Sequence, residues 1–232
     1  MFPFFLDPTF LLLIPALVLG IWAQSKVQGA FATYSQVYSR KGVRACDVAR
    51  ALMDRFGLSN ITIERTPGNL TDHYDPRSKV LRLSEGVYSS PSLAAIGIAA
   101  HEVGHAIQDA QDYQPIRVRN AIVPVASLTS WLAFPLFFIG LLMRSPFFMD
   151  IGILFFLGVI VFHLVTLPVE FDASARALRL LADTGTLDSD EIGGARAVLK
   201  AAALTYVAAA VMAAAQLLRL LLLRGMFGGR RD

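Results

Sequence analysis

Two histidines and one glutamate stand at metal-binding spacing in the segment His101-Glu102-Val103-Gly104-His105. Residues four apart lie on one face of a helix, so the two imidazoles can share a single zinc ion. Glu102 follows the first histidine directly, where its carboxylate can act as general base toward a water molecule that the metal activates. This HExxH pattern predicts a zinc-dependent hydrolytic site, with His101 and His105 as metal ligands and Glu102 as the catalytic base.

The residues that precede the motif favour a buried helix. Ser90 and Pro91 predict its start, with Ser90 as the N-cap and Pro91 at the first helical position. The segment 93–100 is small and apolar, and Glu102 is the one charged residue around the motif. The alternative is a chance match on an exposed helix with hydrated histidines, which would not need this apolar setting.

A catalytic zinc ion needs a third protein ligand, and Glu170 is the strongest candidate. A metzincin would carry a histidine where this chain has Gln111, so that arrangement is excluded. Glu170 stands at the end of a long apolar segment, where a carboxylate is costly unless it is paired or coordinated. The rival ligand is His163, two helical turns earlier on the same face, although its depth favours a hydrogen-bonded histidine inside a helical bundle.

Other polar residues could support such a site. Asp109 lies one turn after His105 and could orient a ligand histidine, or it could be a hydrated helix end. Asp172 could orient a ligand or form an ion pair with Arg176. The sequence does not choose an oxyanion-stabilising donor among four candidates, which are His73, Tyr74, Tyr113 and Arg176.

The composition is that of a membrane protein. Of the 232 residues 55% are hydrophobic and 17% are charged, and the mean hydropathy is +0.53. Four apolar segments approach the ~20 residues that a helix needs to cross a bilayer, namely 8–23, 121–143, 151–169 and 201–223. Since no basic residue precedes the first segment, we predict a retained anchor rather than a signal peptide. The predicted fold is a mainly α membrane protein with about four transmembrane helices and a small zincin-like α+β catalytic domain that has a short β element.

The segment between the first apolar stretch and the motif carries the remaining structural signals. Helical patterns cover 27–40 and 43–56, and alternating patterns at 61–65 and 79–83 predict two strands. The segment 66–78 between the strands is rich in Pro, Gly, Asn and Asp and predicts a loop. The strands could offer an exposed edge that holds a substrate backbone, or they could form a small structural hairpin.

These patterns divide the chain into five parts. The predicted parts are an N-terminal transmembrane anchor (1–24), a zincin-like catalytic segment with the HExxH helix (25–120), a transmembrane hairpin (121–169), a third-ligand and connecting helix (170–200), and a C-terminal transmembrane helix with its tail (201–232).

The cysteine count and the charge distribution exclude several kinds of site and partner. Cys46 is the only cysteine, so neither an intrachain disulfide nor a thiolate zinc cluster is possible. The net charge is +3, but the basic residues are interleaved with acids, which argues against a nucleic-acid partner.

The distribution of basic residues predicts the orientation in the membrane. The segment 25–120 holds 12 Lys and Arg residues and 170–200 holds four, and four membrane crossings place both segments on one side. The positive-inside rule then predicts a multi-pass protein of the cytoplasmic membrane with its catalytic domain facing the cytoplasm.

The segments AAHEVGHAIQ (99–108) and LPVEFDAS (167–174), with DHYDP (72–76) and LRLS (81–84), resemble the YugP-type neutral zinc metallopeptidases of bacterial membranes over nearly the whole chain. The resemblance implies a gluzincin-like site with His101, His105 and Glu170 on zinc and Glu102 as base. A more distant likeness joins the chain to HtpX-type membrane proteases and CAAX prenyl proteases, which carry an Asp four residues after the glutamate ligand. Ser174 stands there in this chain, so Asp172 or Asp109 is expected to replace that carboxylate.

The predicted function is therefore that of a membrane-bound zinc endopeptidase acting on peptides or proteins, membrane proteins among them. The alternative is a non-catalytic zinc-binding membrane adaptor or metal carrier, against which the intact Glu102 argues, because a pure binding site does not use a base. Cleavage inside the bilayer is disfavoured, since the apolar run before His101 is short and Gln108 and Asp109 follow the motif.

Overall fold

Helices dominate the computed structural model, which describes residues 7–228. The first six residues of the predicted anchor and the last four of the predicted tail lie outside that part. A 3-10 helix at Pro8–Leu13 precedes ten elements, which in chain order are α1 (Ile14–Tyr34), α2 (Ala45–Arg55), β1 (Thr62–Thr66), β2 (His73–Asp75), β3 (Val80–Ser84), α3 (Glu85–Tyr88), α4 (Leu93–Ala110), α5 (Gln114–Leu142), α6 (Pro146–Asp183) and α7 (Ile192–Gly228). The predicted fold class is confirmed.

Four helices of the described chain are long and apolar enough to cross a membrane, at Pro8–Tyr34, Gln114–Leu142, Pro146–Asp183 and Ile192–Phe227. The third of them, α6, continues beyond the apolar segment 151–169 as one helix to Asp183. The first helix differs from prediction, since α1 is continuous from Ile14 and ends at Tyr34 rather than at Arg40. Tyr38 instead forms an isolated bridge with Ser92.

The chain forms two compact units. One contains the described residues up to 23, 118–167 and those from 205; the other contains 24–117 and 168–204. The boundaries fall within α1, α5, α6 and α7, so each of these helices contributes residues to both units.

The first unit is a helical bundle with small residues at its helix contacts. Its core contains Phe137, Met149 and Leu220, all almost completely buried. A Cβ at Gly152 would lie 2.7 Å from the backbone nitrogen of Phe137, so glycine permits the close approach of α5 and α6. Two ion pairs add to this packing, one between Arg219 and Asp7 at 2.7 Å and one between Arg224 and Asp150 at 2.8 Å.

The second unit contains a three-stranded sheet in the order β1-β3-β2. β1 and β3 pair in parallel, so the predicted alternative of a hairpin between them is wrong. The predicted loop 66–78 contains a strand, because His73–Asp75 pairs antiparallel with β3. That strand lies at the edge of the sheet, with β3 as its one neighbour among the described strands.

The buried face of α4 forms the centre of the second unit. Ile96, Val103 and Ile107 pack in one core with Leu52 of α2 and Leu81 of β3. The amphipathic pattern of α2 explains its part in this core, since its buried residues recur at helical spacing. The predicted start of α4 is two residues too early: Ser92, and not Ser90, is the N-cap, and its hydroxyl accepts from the backbone N–H of Ala95.

Gly104, inside the motif, permits a close approach of α4 to α6. A Cβ at this position would lie 2.7 Å from the carbonyl oxygen of Ala173 and 3.2 Å from its Cα. Backbone on both sides cannot move aside as a flexible side chain would. A glycine between the two histidines is therefore required by packing against the helix that carries Glu170.

Gly104→Ala is expected to lower the free energy of unfolding by about 1–3 kcal/mol, the usual cost of overpacking. The measurement is the thermal midpoint of the full chain in detergent micelles. The matched control is Gly193→Ala in α7, where an added Cβ meets no atom within 4 Å and the midpoint should stay the same or rise slightly. Equal midpoints for the two variants would contradict the close-packing argument.

Candidate metal centre

The two motif histidines lie one turn apart on the buried side of α4. Their ring centroids are 4.7 Å apart and their planes are inclined by 80°. His105 is buried, and His101 is partly exposed. This arrangement is the one that the four-residue spacing predicts, and it turns the Nε2 atoms of both rings toward the same carboxylate.

That carboxylate belongs to Glu170 of α6, which is 4% exposed. Its Oε2 lies 3.3 Å from His101 Nε2 and 3.5 Å from His105 Nε2. Each of the three residues offers one metal-ligand atom, and these three atoms all lie within 4.8 Å of one another. Ligands bound tetrahedrally to zinc at 2.0–2.2 Å lie about 3.4 Å apart. Two imidazole nitrogens and one carboxylate oxygen at this spacing fit a zinc ion, and they form the one such group found in the described residues.

Glu102 lies beside the three ligand-type residues, and its side chain is buried. Its Oε2 accepts a hydrogen bond of 3.0 Å from the backbone N–H of Tyr74. Burial raises the pKa of this carboxyl from 4.5 to about 7, against the opposing effect of His101, while the charges of Glu170 and Asp72 add to the rise. A carboxyl with a pKa near neutrality can both take up and release a proton at physiological pH.

Each histidine has a hydrogen-bond partner at Nδ1, the nitrogen that faces away from Glu170. His101 Nδ1 lies 3.2 Å from the hydroxyl of Ser174, and His105 Nδ1 lies 3.0 Å from Oε1 of Gln108. Sequence reasoning missed both contacts. The contact of Gln108 could have been predicted, since Gln108 follows His105 by three residues and so lies on the same face of α4.

Asp172 reaches the site through Gln108 rather than by contact with a histidine. Its Oδ2 accepts from Gln108 Nε2 at 2.8 Å and from Arg176 Nε at 2.5 Å, which is the ion pair that the sequence suggested. Arg176 also donates to Gln111 at 2.6 Å, and its guanidinium lies 5.6 Å from the ring centroid of Tyr113. Two of the three guanidinium nitrogens of Arg176 are thus bonded to Asp172 and Gln111.

Asp109 does not orient a ligand histidine. It accepts from the Tyr74 hydroxyl at 2.8 Å and from Lys79 Nζ at 2.6 Å, so it fastens the sheet to the end of α4. Burial and the hydrogen bond to Asp109 raise the pKa of the Tyr74 phenol, which therefore keeps its proton for this contact. The structure accordingly gives Tyr74 two positioning contacts, one to Glu102 through its backbone and one to Asp109 through its ring.

Two predicted candidates are not brought to the ligand group. His73 lies exposed on β2 with its Nδ1 2.8 Å from the carbonyl oxygen of Thr71. His163 lies within α6 with its ring 5.8 Å from that of Phe162, and it is not a member of the group of three metal-ligand residues. The choice of an oxyanion donor among the predicted residues stays a prediction.

Comparisons with known proteins agree with the geometry. Residues 9–225 match the family model described as "Putative neutral zinc metallopeptidase". The chain is 43% identical over 212 residues to "Putative membrane protease YugP" of Bacillus subtilis (strain 168), an alignment that covers 91% of this chain and 94% of that protein. No solved structure gives a significant match.

The raised pKa of Glu102 predicts a pH-dependent stability of the metal-free protein. Because the folded state holds this proton up to about pH 7 and the unfolded state only to about 4.5, ionisation between these values destabilises the fold. Glu102→Gln removes that penalty, so its stability gain over the wild type should reach about 3 kcal/mol at pH 8 and vanish as the pH falls below 4.5. The measurement is the thermal midpoint of chelator-treated protein across this range.

The matched control for this measurement is Glu85→Gln, an exposed glutamate at the start of α3. Its effect should be small at every pH. A stability difference between Glu102→Gln and the wild type that does not change with pH would show that burial does not perturb the Glu102 carboxyl.

Proposed function

Because this chain belongs to the neutral zinc metallopeptidase family, we propose that it is a membrane-bound endopeptidase that hydrolyses peptide bonds, with zinc held by His101, His105 and Glu170 and with Glu102 as general base. The single observation that supports this most strongly is the convergence of the three ligand-type atoms within 4.8 Å, next to a buried Glu102. A cation is the natural partner of such a group, since it compensates the buried carboxylate charge.

Each part of the proposed chemistry has a residue suited to it. A zinc ion bound there would supply Lewis acidity, polarising a peptide carbonyl and making water nucleophilic near neutral pH. Glu102 holds one oxygen against the Tyr74 backbone N–H, and its carboxylate takes the proton from the attacking water. The same carboxyl then delivers the proton to the nitrogen of the departing amine.

The edge strand β2 is the proposed binding element for the substrate backbone. The N–H of Tyr74 faces Glu102 and not β3, so the outer edge of β2 is the edge that adjoins the site. The Tyr74 N–H is bonded to Glu102, so an extended peptide would add to this edge through the other main-chain groups that face outward. Main-chain hydrogen bonds of this kind hold many sequences equally well. This mode of binding suits an endopeptidase of broad specificity, acting on peptide or protein substrates that include membrane proteins.

The proposed location is the cytoplasmic membrane, in contact with the lipid bilayer, with the catalytic unit on the cytoplasmic side. Four apolar helices and a relative named as a membrane protease support the membrane location. The excess of Lys and Arg in 25–120 and 170–200 supports the orientation.

Glu102→Gln is expected to keep zinc and lose peptide cleavage by about 10²–10⁴-fold, because the amide still accepts from Tyr74 but cannot take up a proton. The measurement is the cleavage rate of a fluorescent unfolded protein by the full chain in detergent, together with zinc content by elemental analysis. Glu85→Gln serves as the control and should retain both. Zinc binding without cleavage in the wild type as well would favour the adaptor or metal-carrier alternative.

Glu170→Ala is expected to weaken zinc affinity by more than roughly 10- to 100-fold. That range is the loss typical of mutating a residue that contacts a metal ligand but not the metal. The affinity is measured by competition with a chromophoric chelator. Asp183→Ala, an exposed carboxylate on the same helix, is the matched control and should bind zinc like the wild type. Unchanged zinc stoichiometry and affinity in Glu170→Ala would remove Glu170 from the proposed ligand set.

A further inference from the structure

Gln108 is completely buried, and its amide bridges the two helices that carry the ligand-type residues. Its Oε1 lies 3.0 Å from His105 Nδ1. Its Nε2 donates to the carbonyl oxygen of Val169 at 2.9 Å and to Asp172 Oδ2 at 2.8 Å. A glutamine amide has two N–H donors, so both are used by these two acceptors.

The acceptors fix which end of the amide faces His105. A backbone carbonyl and an ionised carboxylate only accept hydrogen bonds, so Val169 and Asp172 both require the nitrogen end of the Gln108 amide. The oxygen end then faces His105, where it too can only accept. The hydrogen of a neutral His105 must therefore reside on Nδ1, and Nε2 keeps its lone pair.

That lone pair points where a ligand is needed. His105 Nε2 lies 3.5 Å from Glu170 Oε2, within the group of metal-ligand atoms. Asp172 is itself held by Arg176, whose Nε donates to the same oxygen at 2.5 Å. The contacts form an ordered chain from Arg176 through Asp172 and Gln108 to His105, in which each acceptor determines the orientation of the next group.

We propose that Gln108 is a positioning residue that relays the acceptor character of Asp172 to His105 and so fixes the imidazole tautomer that presents Nε2 to the metal. The proposal rests on the proposed function, since it takes His105 as a zinc ligand. A relay of this kind sets the tautomer through a neutral amide, whereas many zinc histidines contact a carboxylate directly. Asp172 thus acts on the site without placing its charge beside the imidazole.

The test compares zinc affinity and the visible spectrum of the cobalt-substituted full chain in detergent, with the thermal midpoint of the metal-free protein as a separate readout. Gln108→Met keeps the side-chain length and removes the amide, so zinc affinity should fall about 10- to 100-fold and the cobalt spectrum should change. The control is Gln216→Met, another buried glutamine, located in α7, which should leave affinity and spectrum unchanged.

A rescue separates positioning from simple helix–helix adhesion. In the double variant Gln108→Glu/Asp172→Asn, the new carboxylate accepts from His105 Nδ1 and the new amide donates to that carboxylate. Zinc affinity should return to within about 10-fold of the wild type, although the Val169 carbonyl loses its donor. If Gln108 acted only in adhesion, affinity would instead follow the thermal midpoint of the metal-free protein in every variant, and the relay would be refuted.

Two further outcomes are decisive. Wild-type affinity and cobalt spectrum in Gln108→Met would overturn the relay and leave the proposed function intact, whereas a wild-type chain that binds no zinc would refute the proposed function itself. Should Gln108→Met fail to fold, Asp172→Leu removes one of the two acceptors that orient the Gln108 amide and leaves the Val169 carbonyl as the other. Zinc affinity is expected to fall by about 3- to 10-fold, and an affinity equal to that of the wild type would again overturn the relay.

Discussion

The close contact between α4 and α6 is the constraint on which the candidate site depends. Gly104 lets the two backbones approach until a single added methyl group would meet Ala173, and this approach brings Glu170 to both histidines. A carboxylate charge that is buried this close to two imidazoles must be compensated. A cation compensates it better than neighbouring protein groups can. Helix packing thus determines the geometry of the candidate metal site, to which Gly104 contributes as well as the histidines.

Local patterns predict much of this architecture. The apolar lengths predict four long helices, and the four-residue spacing places His101 and His105 on one face of α4. Glu170 is predicted as the third ligand because an unpaired carboxylate at the end of an apolar helix has a high free-energy cost. The strand His73–Asp75 escapes prediction because three residues between turn-forming neighbours have no period, and only pairing with β3 stabilises them. The roles of Gln108 and Ser174 likewise depend on contacts between helices distant in sequence.

The polar groups around the histidines differ from the expectation based on related membrane proteases. Ser174 and Gln108 contact the two Nδ1 atoms, and both are neutral. Asp172 lies one contact further away, behind Gln108, and Asp109 bonds Tyr74 and Lys79 instead. The negative charge in direct contact with the histidines is thus that of Glu170. In the proposed ligand set, this low total charge would leave more of a bound cation's positive charge uncompensated, which would favour polarisation of a neutral amide substrate.

The position of Glu170 in the chain has a consequence for biosynthesis. The HExxH helix is complete once residue 110 has been made, but the carboxylate that joins it belongs to α6, which follows the whole of α5. A chain whose α5 and α6 have not yet paired carries two histidines and a base without a third ligand, and such an open site holds zinc poorly. Under the proposed function, hydrolysis would then begin only after α5 and α6 have paired, so the order of synthesis itself would delay the activity of His101, Glu102 and His105.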